Sequence, residues 1–258
     1  METFLEKTAW PMAVPEPGSA FHLLFVLFGL AAALWLSRRA NAFCRKNEKA
    51  PFRFLLLCGL ILAAGELYKQ LFLYEIVNGG RYNWWYFPFQ LCSTPMYLCL
   101  LLPLFQRRRR AAGLLFTYLQ DFSLLGGVMA LAEPSGLFHP YWTLTLHGLL
   151  WHILLVFLGL TIFRAGLADP GVRGYARTLP LLFLFCLIAT AINVATGGQA
   201  DMFYISPYYP VTQVVFHRLS LLFGTPAGIA LYLLALCLGG LLTHLGLERI
   251  SQLCKRRN

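Results

Sequence analysis

Two side chains in this 258-residue chain could do nucleophilic chemistry together: Cys92, flanked by Gln90, Ser93 and Thr94, and His147, which shares a helix face with Thr143 and Trp151. An imidazole titrates near neutrality and can take a thiol proton, and the resulting thiolate is a strong nucleophile toward a carbonyl carbon. Asn193 and Gln90 carry amide N–H groups that could donate to a developing oxyanion. A second set is ionisable. Glu66 and Lys69 are spaced i,i+3, so they share a helix face and can neutralise each other. Gln70 follows them, Asp121 continues a polar stripe with Thr117 and Gln120, and His152 completes the set.

Each group also has a plain structural use. Cys92 can serve as a small packing residue, as can Cys44, Cys58, Cys99, Cys186, Cys237 and Cys254. His147 can link helices by a hydrogen bond, and Glu66–Lys69 can stitch a bundle. His147 and His152 lie ~140° apart around a helix, so they cannot grip one metal ion, and no other His/Cys pair has ligand spacing. Neither a metal nor another cofactor is called for.

The elements that must position these groups follow from composition. Hydrophobic residues make up 58% and charged residues 12% of the chain, and the mean hydropathy is +0.62. A water-soluble domain cannot hide that much apolar side chain, so the fold class is an all-α polytopic membrane protein. Seven stretches approach the ~20 apolar residues needed to span a bilayer: Phe21–Ser37, Phe52–Val77, Pro88–Phe105, Ala112–Glu133, Tyr141–Phe163, Thr178–Thr196 and Pro226–Gly246. They form one seven-helix domain over 21–246, with an external segment at 1–20 and a basic cytoplasmic tail at 247–258. Pro95 should kink the third helix. Val211–Phe223, mixed polar and apolar, reads as a helix lying in the interface, either an anchor or a lid.

The net charge of +10 comes from short basic clusters between apolar runs, which is topology, with no aromatic–basic pattern for nucleic acid. Arg38, Arg39, Arg45, Lys46, Lys49, Arg53, Arg107–Arg110, Arg164, Arg173, Arg177, Arg249, Lys255, Arg256 and Arg257 all fall on one side, 17 of the 21 basic residues. That alternation places the N-terminus outside and the C-terminus in the cytoplasm. At ~1.5 Å of rise per residue, Lys69, Cys92, His147 and Asn193 fall about 5–12 Å below the outer boundary. Glu66, Asp121 and His152 lie deeper. The expectation is an outward-opening polar cavity.

These residues carry a resemblance. Pro88-Phe89-Gln90-Leu91-Cys92 is similar to the P-L-H-L-C signature of YwaF-type bacterial integral membrane proteins, which are related to the animal transmembrane-protein-164 group. Glu66-x-x-Lys69, His147-Gly148, and Asn193 with Gly197 agree in order and spacing. The resemblance implies a seven-helix fold in a bacterial cytoplasmic membrane. It also implies lipid acyl chemistry through an embedded Cys and His, which fall on Cys92 and His147. More distant kin, the androgen-induced type, hydrolyse fatty-acid esters with a Thr and a His. Two departures stand out: Gln90 replaces the family's histidine, and Ala200-Asp201 replaces an Asn-Tyr pair.

Three function classes remain at this point. The first is an acyltransferase or lipid esterase, with membrane lipids as acyl donor and acceptor. The second is a proton-coupled carrier using Glu66, Lys69, Asp121 and His152 as a relay. The third is a non-catalytic membrane protein. A retinal protein is excluded because the last helix has no lysine for a Schiff base.

Overall fold

A computed structural model describes residues 2–257, and among them every regular element is helical. Six helical segments are long and apolar enough to cross a membrane: Ala20–Cys44, Ala50–Val77, Arg109–Ala132, Trp142–Ala165, Gly171–Ala195 and Thr225–Cys254. They match six of the seven predicted stretches, with longer ends at α2 (Ala20–Cys44) and α10 (Thr225–Arg257). The basic tail predicted at 247–258 therefore continues a helix as far as Arg257.

The remaining stretch, Pro88–Phe105, is built differently. Its helical part, Leu91–Phe105, is a shorter apolar helix. A 3-10 turn over Leu91–Ser93 leads into α4 (Thr94–Leu101), and a second 3-10 turn closes it at Leu102–Phe105. Pro95 sits in the first turn of α4, where a missing N–H costs nothing. It starts the α-helix instead of kinking a longer one. Ala50–Val77 also changes hand-hold: α3 (Ala50–Phe72) widens into a π-helical turn at Leu73–Val77.

The chain divides into two compact units. Unit 1 comprises Met1–Tyr82 and Pro95–Asp169. It holds α1 (Glu2–Lys7), α2, α3, most of α4, α5 (Arg109–Ala132) and α6 (Trp142–Ala165). Lipid is as apolar as leucine, so helices associate through close packing more than through water exclusion. Glycines supply the closeness. A Cβ added at Gly159 of α6 would stand 3.0 Å from the Gln120 carbonyl of α5, and one at Gly127 of α5 would stand 2.9 Å from the His152 carbonyl. Tyr118 and Phe122 of α5 and Leu149 and Leu158 of α6 are fully buried.

Unit 2 comprises Asn83–Thr94 and Pro170–Asn258. It holds α7 (Gly171–Ala176), α8 (Leu179–Ala195), α9 (Val214–Phe223) and α10. The Tyr175 hydroxyl of α7 donates to the Cys237 carbonyl of α10 at 2.5 Å. Helix α9 is the one expected within Val211–Phe223; Gln213 caps it by accepting from the Val215 and Phe216 N–H groups. It packs closely on α10 through Ser220 and Gly228, and presents Val214, Val215, Leu221, Leu222 and Phe223 outward.

Candidate functional site

The candidate residues fall into two sets, one in each unit. In unit 1, α3 carries Glu66, whose Oε1 accepts from Lys69 Nζ at 2.8 Å and from Gln70 Nε2 at 2.7 Å. The helical spacing foreseen from sequence thus yields the ion pair, and Gln70 joins it one turn on. From the loop before α6, burial and then the Lys69 ammonium hold the His139 imidazole below its ordinary range. The charge of Lys69 is therefore felt at the start of α6.

His147 lies in the second turn of α6. Its ring packs against α3 where Gly65 has no side chain, an added Cβ falling 3.6 Å from Nε2. On its own helix it stacks on Trp151, with centroids 5.4 Å apart. Nε2 is buried and has no hydrogen-bond partner among the described residues. Its polar neighbours on α6 differ. Thr143 Oγ1 donates to the Thr8 carbonyl, Thr145 Oγ1 bonds to both His139 backbone groups, and His152 Nδ1 donates to the Gly148 carbonyl at 2.7 Å. His152 is thereby tied to its own helix. Asp121, fully buried in α5, accepts from Gln120 Nε2 at 2.9 Å.

In unit 2, Cys92 occupies the 3-10 turn Leu91–Ser93 and is partly exposed. Gln90 precedes it as N-cap and accepts a reciprocal bond from its own turn, with Ser93 Oγ facing the Gln90 N–H at 3.4 Å. The Gln90 side chain reaches further. Its Nε2 donates to the Asp201 carbonyl and its Oε1 accepts from the Phe203 N–H, both at 2.7 Å. Asn193 grips the same turn from α8: Oδ1 accepts from the Met202 N–H at 2.6 Å, and Nδ2 donates to the Met202 carbonyl at 3.1 Å.

The turn so held is unusual. Phe203 and Tyr204 adopt left-handed backbone conformations, with φ of 58° and 57°, which are uncommon for bulky side chains. Asp201, Met202 and Phe203 are nearly sealed from solvent. The Asp201 carboxylate accepts from the Ser206 N–H at 3.1 Å and from Thr212 Oγ1 at 2.5 Å. Burial raises the Asp201 pKa, and those two hydrogen bonds oppose the rise. Gln90 and Asn193 are therefore chiefly turn-holders: an oxyanion could draw only on the second hydrogen of each NH2 group. Tyr232 of α10 is buried beside this turn, its ring edge-on to Tyr204 with centroids 6.0 Å apart.

A comparison with protein-family models matches residues 17–241 to the TMEM164 family. The chain belongs to the TMEM164 family. No curated protein and no solved structure matches it. The TMEM164 match takes in Glu66, Lys69, Gln90, Cys92, Asp121, His147, His152 and Asn193, and leaves the first sixteen residues outside.

Within this chain, the sequence foresaw the Glu66–Lys69 ion pair. It missed the purpose of Gln90 and Asn193, and it missed Asp201 as a structural acid. The pairing of Gln90 with Asp201 and Phe203 spans more than a hundred residues. Gly197 and Gly198, both at positive φ, were the local hint that an irregular, tightly turned segment follows α8. Among the described residues no cluster of His, Cys, Asp and Glu could hold a metal ion.

Proposed function

We propose that the chain is a membrane-embedded lipid acyl enzyme in which Cys92 is the nucleophile and His147 its base. The observation that carries this is the seating of His147: a buried imidazole fixed in orientation by the Gly65 backbone and the Trp151 ring. An imidazole held in a fixed orientation by a neighbouring backbone and ring suits proton transfer.

The reaction runs in two halves. His147 Nε2 takes the Cys92 thiol proton as Sγ attacks the acyl carbonyl carbon. The ester C–O bond breaks, and the imidazolium returns the proton to the departing alkoxide, leaving a thioester on Cys92. A lysolipid hydroxyl or water, deprotonated by His147, then attacks the thioester and restores the thiol. Membrane lipids are donor and acceptor. No cofactor takes part in this scheme.

The topology we propose has seven passes, N-terminus outside and C-terminus in the cytoplasm of a bacterium, following the basic loops and the YwaF-type likeness. The short Leu91–Phe105 helix supports a crossing because its 3-10 turns rise ~2.0 Å per residue against ~1.5 Å in the α part, reaching about 26 Å. Extended residues before it make up the remainder.

The test is covalent capture. Purified protein in lipid vesicles, given a phospholipid with an isotope-labelled acyl chain, should form a hydroxylamine-sensitive adduct on Cys92 and transfer label to added lysolipid. Cys92→Ala should lose both, and His147→Ala should slow both at least a hundredfold. Equal transfer by wild type and Cys92→Ala rules the reading out.

A further inference from the structure

The seam between α3 and α6 is laced by contacts at successive helical turns. Gly65 faces His147. One turn toward the end of α3, Tyr68 and Thr143 both bind Thr8: the Tyr68 hydroxyl meets Thr8 Oγ1 at 2.5 Å, and Thr143 Oγ1 donates to the Thr8 carbonyl at 2.6 Å. A turn further, the rings of Phe72 and Tyr141 meet edge-on with centroids 5.4 Å apart. Thr8 thus sits about one helical pitch, ~5.4 Å, beyond the level of His147.

Beyond Thr8 the chain runs antiparallel to the approach to α6. The Trp142 N–H donates to the Trp10 carbonyl at 2.9 Å, and the Met12 N–H donates to the Pro140 carbonyl at 3.0 Å. These bonds flank Pro11 and Tyr141, which form an isolated bridge. Lys69 of α3 lies near both His139, ahead of α6, and His147. The hold is polar and shallow: Leu5 is buried, but Trp10 and Pro11 lie exposed. A segment fixed mainly by a few part-buried hydrogen bonds, with Trp10 and Pro11 exposed, opens at less cost than global unfolding.

We propose that Thr8–Met12 is a strap that closes the α3–α6 seam over His147 and controls entry of polar molecules to Nε2 from that end of unit 1. It rests on the reaction assigned to His147 only for its bearing on turnover. The closure itself stands on the contacts above and involves residues ahead of the TMEM164 match.

The experiment measures access, not turnover. Diethyl pyrocarbonate carbethoxylates a neutral imidazole nitrogen, releasing ethanol and carbon dioxide, and the mass of the His147 peptide reports the rate. Full-length protein in detergent micelles is compared with Thr8→Val/Met12→Pro, which deletes the Thr8 hydroxyl and the N–H that binds Pro140. Trypsin cleavage at Lys7 reports whether the strap has been released. His147 labelling should rise at least fivefold in the double variant, while His152, tied to Gly148, stays slow. Pro11→Cys/Tyr141→Cys adds the converse. A bridge pair flanked by hydrogen bonds in this pattern brings Cα atoms to ~4.5 Å, within disulfide reach. Oxidised, it should return labelling of the released variant to the wild-type rate.

Released strap with unchanged His147 labelling overturns the proposal. If Lys7 stays protected in the double variant, a chain lacking residues 2–12 replaces it, and unchanged labelling there overturns the proposal equally. The pattern should be the same in Cys92→Ala, so failure of the strap and failure of the acyl chemistry are read separately.

Discussion

The His147 imidazole rests on the bare Cα of Gly65, with room for a methyl group and little more: an added Cβ would stand 3.6 Å from Nε2 and 3.7 Å from Cδ2. That distance is ordinary van der Waals contact, so Gly65→Ala should leave the ring in place. It should also stabilise α3 by about 0.5–1 kcal/mol through lower chain entropy. Gly65→Leu places branched carbons where the ring lies and should push it off Trp151. Acyl transfer should then fall at least tenfold with helix content by circular dichroism unchanged. Full activity in Gly65→Leu would mean that the ring's position is unimportant.

The contrast between Gly65 and Gln90 shows what the sequence could disclose. Helical periodicity placed Glu66 with Lys69 and His147 with Thr143 and Trp151, because those relations are set within four residues. The membrane class followed from composition, and six spans from apolar length. The third stretch is shorter as a helix than as an apolar run, because apolar content extends from Pro88 whereas regular helix begins at Leu91. The Gln90 amide looked like an oxyanion donor because its partners, Asp201 and Phe203, are distant in sequence. Left-handed φ at Phe203 and Tyr204 has no residue-type signature at all, since neither is glycine or asparagine.

The clamp on that turn makes Gln90 and Asn193 structural determinants of unit 2. Gln90→Leu preserves bulk but strands the Phe203 N–H and the Asp201 carbonyl. With about 1–3 kcal/mol for each buried group left unpaired, a loss of about 2–6 kcal/mol is expected. Asn193→Leu should cost a similar amount by stranding both Met202 groups. Because the two amides hold one turn, the double variant should lose less than the sum of the single losses. Thermal unfolding in micelles provides the measurement; a loss below about 0.5 kcal/mol for Gln90→Leu would show that the turn needs no clamp.

Asp201 gives the same turn a pH dependence whose sign is fixed. Its folded pKa is raised by burial, so the native state binds the proton more tightly than the unfolded chain. Stability should be greatest when the carboxyl is protonated and should decline as pH rises from its ordinary value, about 3.9, through the folded value. Asp201→Asn keeps an oxygen for the Ser206 N–H and turns an NH2 toward the Thr212 hydroxyl, which can rotate to accept, and it should flatten that decline. Thr212→Val removes an opposing hydrogen bond, so it should move the decline to higher pH. Unfolding midpoints between pH 4 and 8 decide the matter, and an identical slope in wild type and Asp201→Asn would refute it.

His22 fastens the start of α2 to the end of α5, and its tautomer is dictated by its partners. Nδ1 lies 3.0 Å from the Gly18 N–H and must accept; Nε2 lies 2.8 Å from the Leu131 carbonyl and must therefore carry the hydrogen. The ring is buried edge-on to Phe138, centroids 5.9 Å apart. His22→Phe would keep the packing but leave a donor and an acceptor without partners, at a cost of about 2–5 kcal/mol if both stay buried. Gln or Asn at this position cannot reproduce the opposed geometry of the two ring nitrogens. Nitrogen-15 spectra of histidine-labelled protein should give a bare, pyridine-like Nδ1 and a protonated Nε2 for His22. A protonated Nδ1 would leave the Gly18 N–H facing a second donor, which the observed separation does not allow.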